Sequence, residues 1–123
     1  MNEKIFSVIL LIAVVFSVFF NTKILTDKID KIIDETESLN LDDEIKIAGE
    51  NAKKIYEKYK SAETFMSLTV SHDDLTNIED CFVEMIASLD VSDVDGAKIA
   101  KSRLINSLEH LRRLCGFNID SII

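Results

Sequence analysis

Sixteen consecutive residues, Ile5 to Phe20 (IFSVILLIAVVFSVFF), carry no charge and only two hydroxyls. Such a run has few fates open to it. As a helix rising 1.5 Å per residue it spans about 24 Å, a little short of the roughly 30 Å hydrocarbon core of a bilayer. Asn21 and Thr22 can lengthen it, and Lys4 and Lys23 can reach outward along their alkyl stems. A cleaved signal peptide would need small residues just after the run. Phe19, Phe20, Asn21 and Thr22 stand there instead, Val15-Phe16-Ser17 is a poor substitute, and no Cys ends the run for lipid attachment. The sequence therefore predicts a membrane anchor over residues 1–22, meeting the lipid bilayer through residues 5–20. A secreted helical protein, left after signal cleavage, is the alternative.

Sidedness follows from two opposing arguments. Lys23, Lys28 and Lys31 outnumber Lys4 across the run, which favours a cytoplasmic domain under the positive-inside rule. A short N-terminal tail before a long C-terminal domain fits a signal anchor, and long domains translocate largely regardless of charge. The expectation is a single-pass protein of the cell membrane with its domain outside the cytoplasm.

The remaining chain reads as helix. Its 123 residues hold no Pro, no Trp and only three Gly, so breakers and hairpin turns are scarce. The expected fold class is all-α: an N-terminal transmembrane helix followed by a small antiparallel helical bundle over 23–123. Its helices are expected at about 24–39, 41–69, 72–90 and 93–115. Leu25, Ile29, Ile32, Ile33 and Leu39 make a narrow stripe at helical spacing. Leu41, Ile45, Ala48, Ala52, Ile55, Tyr59, Ala62 and Met66 hold a two-sevenths seam that requires a neighbouring helix. Ala48, Gly49 and Ala52 would let that neighbour come close. Leu75, Ile78, Phe82, Met85 and Leu89 form the third stripe, and Val94, Ala97, Leu104, Leu108 and Leu111 the fourth, with Lys101 at its edge.

The segment SHDD, residues 71–74, looks most like a site and has a plainer explanation. Ser71 as N-cap puts Asp74 three residues on, the capping-box spacing, and Val70 with Leu75 makes a hydrophobic staple. Asn40 reads as the cap of the helix before it, with Asp43 three residues on. Ser92 and Asp95 repeat the pattern for the helix after it. His72, Asp73 and Asp74 could instead handle a metal or a proton. A metal needs three or four converging ligands, and His72 and Glu79 stand about 10 Å apart along a helix axis. No Glu-x-x-His occurs. No catalytic residue, cofactor or metal is expected, and His72 is the residue that capping leaves without a task.

Three other groups qualify the picture. Net charge is −8, which argues against a general nucleic-acid binder. Cys81 and Cys115, 34 positions apart, make no CxxC and no zinc spacing. They are expected about 20 Å apart in a helical hairpin, as small apolar residues rather than a disulfide. His110, Arg112 and Arg113 are expected in the last turns of their helix, where cations complement its dipole, with Gly116 ending it and Phe117 folding back on Leu111. Lys53, Lys54, Tyr56 and Lys58 are candidates for the membrane interface. If their helix folds back at Asn40, residues 55–58 return to the level of Lys23.

The stretch SHDDLTNIEDCFVEMIASLD, a following amphipathic helix and the closing FNIDSII resemble a family of short bacterial proteins of unknown function, common in Gram-positive anaerobes. Its members join an N-terminal hydrophobic anchor to a small helical domain. The features carrying the likeness are the acidic-His start, Leu75, Ile78, Glu79 and the closing Asn118-Ile119. Tyr56, Tyr59 and Phe65 stand in the helix where the family places a Trp. The resemblance implies anchor and fold and adds no chemistry. The expected function is a membrane-tethered interaction or scaffold module without catalytic activity. Its long seam or acidic face would bind an unknown protein partner or a second copy.

Overall fold

The computed structural model describes residues 2–122 except 43 and 67–69, and the side chains at 18, 19, 21, 22, 65 and 116–122 lie outside the description. The described residues form four α-helices and no strand: α1 (Glu3–Glu37), α2 (Ile45–Met66), α3 (His72–Asp90) and α4 (Val94–Ile122). Helix α1 packs against α2 and α4, and α3 packs against the same two helices. The result is a ring of four, each helix antiparallel to its neighbours. The C-terminal half of α1 is thus one wall of the bundle, and its N-terminal half runs on beyond the other three helices.

The stripes read from the sequence meet inside this ring. Ile29, Ile32 and Ile33 of α1, Ala52, Tyr59 and Met66 of α2, Phe82 and Met85 of α3, and Leu104 and Leu108 of α4 are all buried. Thr36 is buried among them. Its hydroxyl is satisfied by donating to the Ile32 carbonyl one turn back at 2.7 Å. Lys101 does sit at the edge of its stripe. Its ammonium donates to the Glu37 and Leu39 carbonyls at 3.2 and 2.9 Å, closing the end of α1 from another helix. A methyl group at Gly49 would lie 3.9 Å from Leu89 Cβ, an ordinary contact. Close approach there would tolerate Ala as well as Gly.

Three boundaries differ from expectation. Helix α2 starts at Ile45, not 41. Asn40 is not its cap: its side-chain oxygen accepts from Asp42 N–H at 3.1 Å. That Asx turn bends the chain two residues on instead of starting a helix. Asp43 lies outside the described residues. Ser92 does not cap α4 either. It has φ 60° and ends α3, with its N–H bonded to the Leu89 carbonyl and that of Asp93 to the Ser88 carbonyl. This is the Schellman arrangement, which needs a left-handed residue just past the helix. Asp93 then caps α4, Oδ1 accepting from Gly96 N–H at 3.0 Å. Asp95 is left in the first turn as a dipole partner. A methyl group on Gly96 would collide with that Asp93 carboxylate. Finally, α4 passes through Gly116 to Ile122. Gly116 is not a helix end, and His110, Arg112 and Arg113 lie well before the last turn. The contact of Phe117 with Leu111 lies outside the described side chains.

Candidate functional site: an exposed apolar helix and its junction with the bundle

Consecutive residues on a helix point about 100° apart, so a run exposed at every position has no buried face. That is the state of the first half of α1. Ile5, Phe6, Val8, Ile9, Leu10, Leu11, Ile12, Val14, Val15, Phe16 and Phe20 are each more than 40 % exposed. Each such side chain gains roughly 1.5–3 kcal/mol on leaving water. A contiguous apolar surface of this extent marks an interaction site. Taken over the described residues alone, no helix is long and apolar enough to cross a membrane. Val18, Phe19, Asn21 and Thr22 are not among the residues whose side chains are described.

The bundle begins where this surface ends. Leu25 is half-buried, Thr26 is buried, and Ile29 is fully enclosed. At this end of the bundle α3 starts with the SHDD segment. Ser71 is its N-cap: the backbone is extended there, and the hydroxyl accepts from Asp74 N–H at 3.3 Å. The same hydroxyl donates to Asp74 Oδ2 at 2.8 Å. Asp74 therefore closes the capping motif through the Ser71 side chain. Val70 is half-buried against the core, to which Leu75 belongs. His72 and Asp73 are exposed on the first turn.

A residue the sequence did not single out joins this junction. Glu63 of α2 shares a hydrogen bond with Glu79 of α3. Burial, that hydrogen bond and the Glu79 charge push the Glu63 carboxyl up, while Lys60 and His72 oppose the shift. Glu63 thus stands within the electrostatic reach of both His72 and Glu79. It lies one turn after Tyr59, beside the seam, where an acid on a half-buried flank was the available signal. Beneath it Tyr59 is fully buried and donates its hydroxyl to the Leu75 carbonyl at 3.3 Å. Burial, with the nearby Glu63 and Glu79 charges, pushes that phenol far up, so it stays a neutral donor. Phe82 completes the cluster, stacked on Tyr56 with ring centres 5.1 Å apart and tilted against Tyr59 at 5.3 Å. Among the described residues no group of three His, Cys, Asp or Glu side chains is placed to hold a metal ion.

The lysines of α2 do not come to the level of Lys23. Lys58 pairs with Glu35 at 2.8 Å, and Lys53 with Asp90 at 3.5 Å. Glu35 is 12 residues beyond Lys23 on α1, about 18 Å along the helix. Lys54 lines a surface groove with Asp34, Glu35 and Asn51, and Tyr56 is engaged by Phe82 and by Lys60, whose ammonium lies 4.6 Å from its ring centre. The premise for an interface at Lys53, Lys54, Tyr56 and Lys58 fails because the chain does not fold back at Asn40: the Lys58–Glu35 pair sets an α1–α2 register 12 residues away from the one that would bring Lys58 to Lys23. Cys81 and Cys115 are both buried free thiols. Burial pushes each up, a Ser107 hydrogen bond opposing it at Cys81, which makes inert thiols. With Cys81 beside Ser107, Cys115 lies about 12 Å further along α4, still beyond disulfide reach.

No family model matches the chain, and neither the curated proteins nor the solved structures contain a match. The functional reading therefore rests on the geometry above.

Proposed function

We propose that this chain is a membrane-tethered four-helix module without catalytic activity, held in the bilayer by the first half of α1. One observation carries the reading: an unbroken helix whose first half exposes apolar side chains on every face and whose second half is a wall of the bundle. Ile5 to Phe20 covers about 24 Å, and continuing to Ile24 brings it to about 30 Å. The α2 seam is occupied inside the bundle, so the surface left for a protein partner or a second copy is the polar exterior. A domain of this length translocates largely regardless of charge, so Lys23, Lys28 and Lys31 do not oppose the extracytoplasmic placement we propose.

Flotation of the full chain with phospholipid vesicles tests the anchor. The protein is expected to float and to resist alkaline extraction. Leu10→Asp with Ile12→Asp is expected to abolish both, since each acid at a helix centre opposes insertion by about 2.5–3.5 kcal/mol. A wild-type chain that stays in the aqueous fraction, or a doubly charged variant that floats equally well, would overturn the proposal. Protease protection of the same vesicles reads the sidedness.

A further inference from the structure

Helix α2 is the wall of the bundle with the slightest hold. Among the described residues its buried side chains are three alanines, Ala48, Ala52 and Ala62, and three large ones, Ile55, Tyr59 and Met66. Small side chains bury little apolar surface. Surface grooves of about 370 and 480 Å³ run along its two flanks, against α1 and against α3, whereas a groove between α3 and α4 has about 200 Å³. The second half of α2 is therefore fixed through Tyr59 and Met66, and Glu63 stands between them.

At that position two helices meet through acids. The Glu63 carboxyl of α2 is hydrogen-bonded to the Glu79 carboxyl of α3, and both side chains are half-buried. Ionised carboxylates only accept, so this bond requires one proton on the pair. Among the described residues no Lys or Arg forms an ion pair with either acid. Burial, the Glu79 hydrogen bond and the Glu79 charge favour the proton on Glu63; Lys60 of α2 and His72 of α3 oppose it. The Lys60 ammonium is turned to the Tyr56 ring. Tyr59, beneath, is the neutral donor to the Leu75 carbonyl. Toward α1, on its other flank, α2 presents Lys54 and Lys58 across from Asp34 and Glu35.

We infer that Glu63 and Glu79 form a proton-operated latch: one shared proton holds the last turns of α2 on α3, and its loss sets two carboxylates against each other and releases those turns. Like charges at hydrogen-bond distance repel strongly where water is partly excluded. Release uncovers Tyr59, Leu75 and Phe82, an apolar surface otherwise sealed. The direction with pH follows from the proton. In and below the ordinary glutamate range the pair carries it and the latch is closed. As pH rises above that range, through the higher value the folded chain imposes on Glu63, the proton leaves and the latch opens. The latch does not depend on the anchor, and the α3–α4 hairpin stays closed throughout.

Hydrogen exchange of the full chain in detergent, corrected for the intrinsic rise of exchange with pH, follows the opening segment by segment. Helical circular dichroism at acid pH confirms that each variant folds. In the wild type, exchange in residues 59–66 of α2 is expected to rise by up to about tenfold per pH unit above the glutamate range, the limit for one released proton. Residues 100–108 of α4 are expected to change little. Glu63→Gln and Glu79→Gln each put an amide donor against the remaining carboxylate and are expected to hold 59–66 closed across the range. Lys60→Met removes a charge that opposes the proton and is expected to move the opening to higher pH. Equal opening of 59–66 and 100–108 would mean global unfolding and overturn the latch. So would a glutamine variant that keeps the wild-type pH dependence, or a Lys60→Met profile that does not move upward.

Discussion

Residues 5–20 and residues 25–39 lie along one chain path and both carry a succession of Ile and Leu, yet their surroundings are opposite. The first stretch is apolar at nearly every position and exposed on all sides; the second interleaves its apolar residues with Asp, Lys and Glu and buries only one stripe. Periodicity accounts for the difference. A helix with one apolar stripe can satisfy it against two neighbours, as Ile29, Ile32 and Ile33 do against the bundle. A helix apolar all round needs an apolar medium on every side. Hydrophobicity alone does not place a segment in a protein core; its angular distribution does.

Paired truncations should break this contrast most forcefully if it is wrong. Ile29→Ala is expected to cost the bundle about 2–5 kcal/mol in detergent, read by thermal unfolding, and Leu11→Ala to change it by less than about 0.5 kcal/mol. Equal losses would mean that the two halves share one core. Lys101→Met comes next. It strips the Glu37 and Leu39 carbonyls of their ammonium partner and is expected to cost about 1–3 kcal/mol, with hydrogen exchange rising at the end of α1 and not in residues 5–20.

Two glycines sharpen the contrast further, since both act on the packed region only. Gly96→Ala should lose about 0.5–2 kcal/mol by displacing the Asp93 cap. Gly49→Ala should gain up to about 1 kcal/mol, because the added methyl meets only Leu89 at van der Waals distance. Neither change should alter vesicle flotation. The smallest effect concerns pH. The folded chain holds the Glu63 proton to higher pH than the unfolded chain does. The folded state therefore binds more protons from the ordinary glutamate range upward, and its stability falls as pH rises through that window. Glu63→Gln should flatten that slope, measured by melting across mildly acidic to neutral pH; an unchanged slope would remove Glu63 as its source.

Most of the bundle could be read from residue spacing, because a stripe repeating every three or four positions has one geometric meaning. Tyr59, Phe82, Met85 and Leu104 are buried where the pattern puts them. Helix ends were harder. Asn40 and Ser92 are both good capping residues and both do something else, one forming an Asx turn and the other ending the preceding helix. A capping side chain serves several local structures equally well, and the neighbouring core residue decides among them. Leu41, buried at the centre of the Asn40–Asp42 turn, ties that turn to the core ahead of the late start of α2. The junction was half legible. Ser71 and Asp74 follow from local spacing, whereas Glu63 meets Glu79 and His72 only through the α2–α3 register, which no single segment encodes.

The ion pair between Asp30 and Arg112 joins positions 82 residues apart. Its consequence lies in the order of assembly. The α3–α4 hairpin closes through a turn in which Asp93 serves both helices, so it can form early and locally. The inner stripe of α1 is synthesised first and meets α4 last. During synthesis that stripe must wait without its final neighbour for most of the chain's length. A nascent chain already fastened in lipid would spend that interval confined to a surface, with fewer wrong partners in reach than one free in solution.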